Sequence, residues 1–249
     1  MRILVGIKRV VDHNIQIRVK EDGSGLELEH IRMSMNPFDE VALEAAIQLK
    51  EKGHAREIIA VCVGAEQAKD VLYSALALGA DRAILVQTPE NIEPLAVAKI
   101  LQKIARKEDI QLVLLGKQAI DDDCCQTGQM LGTLLGWAQK NFVHKIECIS
   151  PTVIEVQWDG QDATQIVQLT LPAVVSVDLA LAEPRFVSLP RLMKAKKQPI
   201  DVIPVEDFAV SSTPFVELLA IEAPATQRET IKFDTISQLV EKLKSEKLV

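Results

Sequence analysis

Short apolar runs alternate with amphipathic stretches along the first half of the chain. Arg2 to Ile7, Glu57 to Val63, Arg82 to Gln87 and Ile110 to Leu115 are rich in Val, Ile and Leu, which predicts strands buried on both faces of a parallel sheet. Between them, Pro37 to Lys52, Glu66 to Leu78 and Ile92 to Lys107 carry apolar residues at three- and four-residue spacing and predict helices. The first of these has the clearest ends. Phe38, Ala42, Ala45, Ala46 and Leu49 fall on one stripe, Asn36 stands at the N-cap, Pro37 in the first turn and Gly53 past the end. Strand and helix in alternation predict an α/β fold, a mainly parallel sheet flanked by helices.

Two stretches break the alternation. Ile15 to Lys20 and Leu26 to His30, separated by Glu21-Asp22-Gly23-Ser24-Gly25, predict an inserted β-hairpin. Ile154, Val156 and Trp158, then Val167, Leu169 and Leu171, alternate with polar neighbours about the turn Asp159-Gly160-Gln161-Asp162 and predict a second. Pro172 leads into one more apolar strand, Ala173 to Leu179. Beyond Pro184 the pattern gives way to a proline-punctuated segment and a final helix, about Thr235 to Leu248, with Ile236, Leu239, Val240 and Leu243 on one side. The expected division is an α/β domain over 1–184 and a partner-recognition loop with an extended C-terminal arm over 185–249, an arm better suited to embracing another subunit than to building its own core.

Composition narrows the class. A chain of 249 residues can bury a large core without staples. Cys62, Cys124, Cys125 and Cys148 show no C-x-x-C spacing, which predicts a reducing compartment. Met1 passes directly into a strand pattern with no cleavable signal, and no apolar run reaches the roughly 18 to 20 residues of a membrane span. The expected location is the cytoplasm of a bacterium, or the mitochondrial matrix for a mature eukaryotic protein. A net charge of -7 argues against general nucleic-acid affinity.

The most informative stretch is GKQAIDDDCCQTGQM, Gly116 to Met130. It follows a predicted buried strand and runs into a segment that continues as a helix, the context in which backbone N–H groups bind a phosphate. It has neither the dinucleotide glycine spacing nor the Gly-Lys-Ser/Thr of a P-loop. Cys125 to Gly128 are placed to offer backbone donors, Gln126 and Thr127 add side-chain donors, and Gly128 permits close backbone approach. Asp121, Asp122 and Asp123 would repel a phosphate, so at least two should turn outward, cap the helix or hold backbone amides. With no His or Glu nearby, no metal is expected there. No catalytic constellation is present either: His13, His30, His54 and His144 are dispersed, and G-x-S-x-G and H-E-x-x-H are absent.

That loop, together with SMNPFDEVALEAA (Ser34 to Ala46), VGIKRVVD (Val5 to Asp12) and DLALAEPRFVSLPRLMKAKK (Asp178 to Lys197), resembles the beta subunit of electron-transfer flavoprotein, in the same order and along essentially the whole chain. The resemblance implies a nucleotide-binding, Rossmann-like α/β fold without a catalytic site of its own, paired with an alpha subunit that holds most of the redox FAD. It implies a structural AMP contacted by Gly6, by Asn36, Pro37, Phe38 and Asp39, by Val63, and by Gly116, Asp122, Cys125, Gln126 and Thr127. Cys125 stands where the family often has Asn. Asp122 and Thr127 place the chain with the AMP-binding, non-bifurcating group, because bifurcating relatives carry Gly and Val there.

The same resemblance puts His13, where the family usually has Tyr, and Phe38 near the FAD. It assigns Leu189 as the anchor for client dehydrogenases, with Pro190, Met193, Arg191, Lys194 and Lys197 around it. The expected partners are the alpha subunit, acyl-CoA and related flavin dehydrogenases, and a membrane quinone oxidoreductase, with no membrane insertion by this chain. The residues alone also admit an adenine-nucleotide-binding regulatory module of the same fold, or a nucleotide alpha-hydrolase-like enzyme. The first of these leaves the Leu189 segment and the long arm without a purpose, and the second lacks its ATP-pyrophosphate motif.

Overall fold

A computed structural model describes residues 1–88, 92–211, 213–223 and 230–249. In chain order the elements are β1 (Arg2–Ile7), β2 (Arg9–Val11), β3 (Met33–Met35), α1 (Pro37–Glu51), β4 (Glu57–Gly64), α2 (Lys69–Leu78), β5 (Arg82–Gln87), α3 (Pro94–Lys107), β6 (Leu112–Gly116), α4 (Thr127–Leu135), β7 (Ala138–Ser150), β8 (Val153–Asp159), β9 (Thr164–Thr170), β10 (Ala173–Val177), α5 (Leu189–Ala195), β11 (Asp201–Pro204) and α6 (Ile236–Ser245). They divide into two compact units, Met1–Gln16 with Leu28–Glu217, and Ile17–Glu27 with Leu218–Val249.

The first unit holds a nine-stranded sheet in the order β11-β5-β4-β1-β6-β10-β7-β8-β9, parallel except where β7, β8 and β9 pair antiparallel. Each of the predicted parallel strands is buried on both faces. Ile3, Val5, Ile58, Ala60, Leu112 and Leu114 pack into the core under α1 and α2, whereas Leu4, Ile59, Val61, Val113 and Leu115 pack under α3 and α4. The chain steps outward from β1 through β4 to β5, then crosses back to β6 on the other side of β1. That reversal opens a crevice at the carboxyl ends of β1 and β6, where open α/β sheets place ligands.

Helix ends follow the sequence cues with one exception. Gly53, at φ 80°, lets the His54 N–H reach the Leu49 carbonyl at 2.9 Å, the left-handed stop that ends α1. Asn36 stands at the N-cap of α1, but its side chain makes no cap bond; it serves the loop after β6, as described below. The predicted second helix splits into a 3-10 turn at Glu66–Ala68 and α2.

The second predicted hairpin is β8 and β9 in full register. The first is smaller than expected. It pairs through a single bridge, Val19 to Leu26, with the Lys20 N–H on the Gly25 carbonyl and the Glu27 N–H on the Arg18 carbonyl, and 28–30 take no part in a strand. The excursion is closed instead by the β2–β3 ladder, Arg9 opposite Met35 and Val11 opposite Met33, and strands of three residues are too short to leave a periodic signal. In the second unit, the Ile221 N–H bonds the Gly23 carbonyl at 3.0 Å, and α6 buries none of its side chains.

Candidate functional site

The cradle is built where β4, β1 and β6 end side by side. Gly6 and Val63 lie one residue before the ends of β1 and β4, and Gly116 ends β6, so residues far apart in sequence share one edge. The start of α1 is fitted against Gly116. A β-carbon there would lie 2.6 Å from the Phe38 β-carbon and 3.0 Å from its carbonyl carbon, and would also meet Asp39 Oδ1.

Asp39 spans the crevice. Its Oδ2 accepts the Lys8 N–H at 2.8 Å and its Oδ1 the Gly116 N–H at 3.0 Å, so one buried carboxylate satisfies a backbone donor just past β1 and another at the last residue of β6. Burial pushes its pKa up to about 7, against the hydrogen bonds that favour the charge. The folded chain therefore keeps a proton that the unfolded chain gives up near 3.8. The stability this carboxyl contributes is full below that pH and is lost as the pH rises towards 7. Asp39→Asn should unfold at lower temperature, with a loss of about 1–3 kcal/mol, because an amide can accept only one of the two N–H groups and turns its own NH2 at the other. A thermal melt equal to wild type at pH 5, where the folded carboxyl still holds its proton, would refute this.

The loop after β6 is held by its own acids. Lys8 Nζ bonds Asp121 and Asp122 at 2.8 Å each. Burial works against the Lys8 charge, but its bonds to the two aspartates prevail and raise its pKa. Burial likewise opposes the Asp122 charge, yet Lys8 and the Cys124 N–H hold its carboxyl below the usual range. Asp123 accepts from Gln118 Nε2 at 2.7 Å. All three aspartates thus have local partners. Asn36, 1 % exposed, donates Nδ2 to the Gln118 carbonyl at 2.8 Å and accepts the Ile120 N–H at 3.3 Å, tying the loop to the start of α1. Lys8 escaped the sequence reading, although three consecutive carboxylates beside a strand end call for a counter-charge.

At the far end of the loop, Asp123 and Cys125 adopt left-handed conformations, φ 47° and 53°, and Gln126 precedes α4 with no side-chain cap. The first-turn N–H groups of α4 are donors that the helix cannot use itself, and no acid of the triplet caps them. Gly128 also has a packing role. It is buried, and a β-carbon on it would come within 3.3 Å of Asn141 Oδ1 and 3.4 Å of the Ser176 β-carbon, so its bareness helps seat α4 on the sheet. These groups fit a phosphate-bearing ligand: uncapped donors at one end, with two of the three acids held by Lys8 and the third by Gln118.

The remaining predicted residues are dispersed around this edge and along the chain. His13 is exposed in the turn after β2, whose shape is set by buried Asp12; Asp12 Oδ1 accepts from the Asn14 N–H and Nδ2 at 2.9 Å, and Oδ2 bonds Arg32 Nε at 3.1 Å. Phe38 is buried, with Lys117 Nζ 5.3 Å from its ring centre. A cleft of about 440 Å³ lined by Pro37, Glu40, Val41, Leu179 and Pro184 lies beside the start of α1, outside the cradle. The segment expected as a loop around Leu189 and Pro190 is a helix of two turns, α5, with Pro190 in its first turn. Leu189 is 71 % exposed and Met193 54 %, with Phe186 just before them at 98 %. Arg191, Lys194 and Lys197 are exposed beside them.

The electron transfer flavoprotein domain model matches residues 26–208. An electron transfer flavoprotein subunit beta from Bradyrhizobium diazoefficiens is 50% identical over 246 residues, covering 99% of this chain and 98% of that protein. The chain belongs to the electron transfer flavoprotein beta-subunit family. The mitochondrial beta subunit of Arabidopsis thaliana is 44% identical over 247 residues, with 99% and 98% coverage, and that of Homo sapiens 44% over 248, with 98% and 97%. The chain is accordingly an electron-carrier subunit of a flavoprotein. Among the described residues no helix is long and apolar enough to cross a membrane.

Proposed function

We propose that this beta subunit holds an AMP in the cradle, pairs with an alpha subunit around a FAD, receives electrons from acyl-CoA and related flavin dehydrogenases that dock on Leu189, and passes them towards a quinone oxidoreductase. The observation that supports the nucleotide is the uncapped start of α4, set at a topological switch point with two of the neighbouring acids held by Lys8 and the third by Gln118. The chain's part in the reaction is to bind and orient. The N–H groups of 125–128 would take the phosphate, and the segment Asn36 to Asp39 fixes the wall against which the rest of the ligand lies. FAD supplies the redox chemistry when bound, and His13, on its Asp12-shaped turn, would stand at its edge.

The arm would serve the pairing. In α6, Ile236 is 82 % exposed, Leu239 41 % and Val240 37 %, one apolar side of a helix that has no cover of its own. Co-expression with the alpha subunit, followed by absorbance and mass analysis of released ligand, tests the whole reading. The expected product is a yellow heterodimer releasing one FAD and one AMP. A yellow heterodimer without AMP would remove the nucleotide assignment, and a colourless monomer that binds adenine nucleotide would favour a regulatory module.

A further inference from the structure

Arg185 makes more side-chain polar contacts than any residue of the cradle. Its Nε bonds Glu44 Oε2 at 2.7 Å and its Nη2 bonds Glu44 Oε1 at 2.9 Å, while Nη1 and Nη2 reach Glu51 Oε1 and Oε2 at 2.7 and 3.1 Å. Its backbone N–H also points to Glu44 Oε2, at 3.4 Å. Glu44 is 5 % exposed in the middle of α1, where it also accepts from Gln48 Nε2 at 3.0 Å. A buried carboxylate engaged on both oxygens by one planar fork requires arginine there. Buried ion pairs contribute little net stability compared with apolar packing, and their better-attested value is in fixing one arrangement.

What this pair fixes is the segment that follows. Val187 and Leu192 pack partly into the core shared by α1 and α2, and Ala195 is buried there. The start of α5 has no side-chain cap of its own. The stretch is thus pinned by Arg185 before the helix and by Ala195 at its end, with Phe186, Leu189 and Met193 left on the outside. We infer that Arg185 is a positioning residue that holds the Phe186–Leu189–Met193 face in its docking arrangement before a client dehydrogenase arrives. This rests on the docking role proposed for Leu189. A pre-ordered apolar face spares the partner the cost of immobilising these side chains and their backbone, a cost that otherwise weakens binding.

The test uses the flavin-loaded heterodimer with an acyl-CoA dehydrogenase reduced by its substrate. Arg185→Met is compared with Arg185→Met/Glu44→Gln, which leaves no orphaned buried charge, and with Arg185→Lys, which keeps the charge but loses the fork. KM for the carrier should rise roughly tenfold in the first two, the scale expected from releasing a few ordered side chains, with kcat and flavin content unchanged. Lys should give an intermediate value, and trypsin should cut after Arg191 and Lys194 faster in the Met variants. If the double variant keeps the wild-type KM while Leu189→Ala raises it, docking stands and Arg185 is not its positioning residue. If Leu189→Ala also leaves KM unchanged, the docking role itself fails and the inference with it.

Discussion

Gly116→Ala should cost the subunit about 3 kcal/mol and empty the cradle. The added β-carbon would sit 2.6 Å from that of Phe38 and 3.0 Å from its carbonyl carbon, and these belong to the first turn of a helix rather than to a flexible side-chain tip. Overpacking against backbone costs about 1–3 kcal/mol on its own. Here α1 would also have to withdraw Asp39 from the Gly116 N–H, leaving a buried donor unpaired at a further ~1–3 kcal/mol. The same shift would drag Asn36 off the Gln118 carbonyl and loosen the loop that leads to α4. Calorimetry of the heterodimer together with nucleotide analysis checks this; an unchanged melting temperature with full AMP content would show that the contact between Gly116 and α1 does not matter. Gly6 offers the contrast. A β-carbon there would meet the Leu115 side chain, with Leu101 Cδ1 at 3.9 Å, side chains rather than helix backbone, so Gly6→Ala should be milder.

Leu189→Ala should raise the KM of a client dehydrogenase for the carrier by about 10- to 150-fold while heterodimer yield and flavin content stay at wild-type levels. A leucine side chain buried in a partner's pocket is worth roughly 1.5–3 kcal/mol, and each 1.4 kcal/mol is a factor of ten. In the free subunit Leu189 is 71 % exposed, so truncating it opens no cavity in the fold. The basic residues beside it should behave differently. Neutralising Lys194 and Lys197 should slow encounter and flatten its dependence on ionic strength, with a smaller effect on dissociation. Loss of the heterodimer in Leu189→Ala would instead put this residue in the subunit interface and end the docking assignment.

The parts legible from sequence were those governed by local chemistry. The runs that became β1, β4, β5 and β6 were readable because a strand covered on both faces has nearly every position apolar, and α1 announced itself through stripe, Pro37 and Gly53. Strand β7 was missed. Its sequence AQKNFVHKIECIS is polar at most positions, and what makes it a strand is pairing with β10 and β8, information that lies elsewhere in the chain. Strand β11 was missed for the same reason: Asp201–Pro204 is four residues that join the sheet only by running parallel to β5. In the site, the uncapped start of α4 was foreseen from strand-loop-helix order, whereas the partners of Asp39 and Asn36 were not. Asn36 reads as a cap by position, and only the tertiary fold shows that its amide is committed to residues 118 and 120.

The double grip of Asp39 bears on how the cradle would be filled. Because the Lys8 and Gly116 N–H groups are satisfied by a side chain of this same chain, and the acids of the following loop are answered by Lys8 and Gln118, the walls of the crevice take their shape from the polypeptide alone. If the cradle holds a nucleotide as proposed, that nucleotide would enter walls whose polar groups are already paired within the chain.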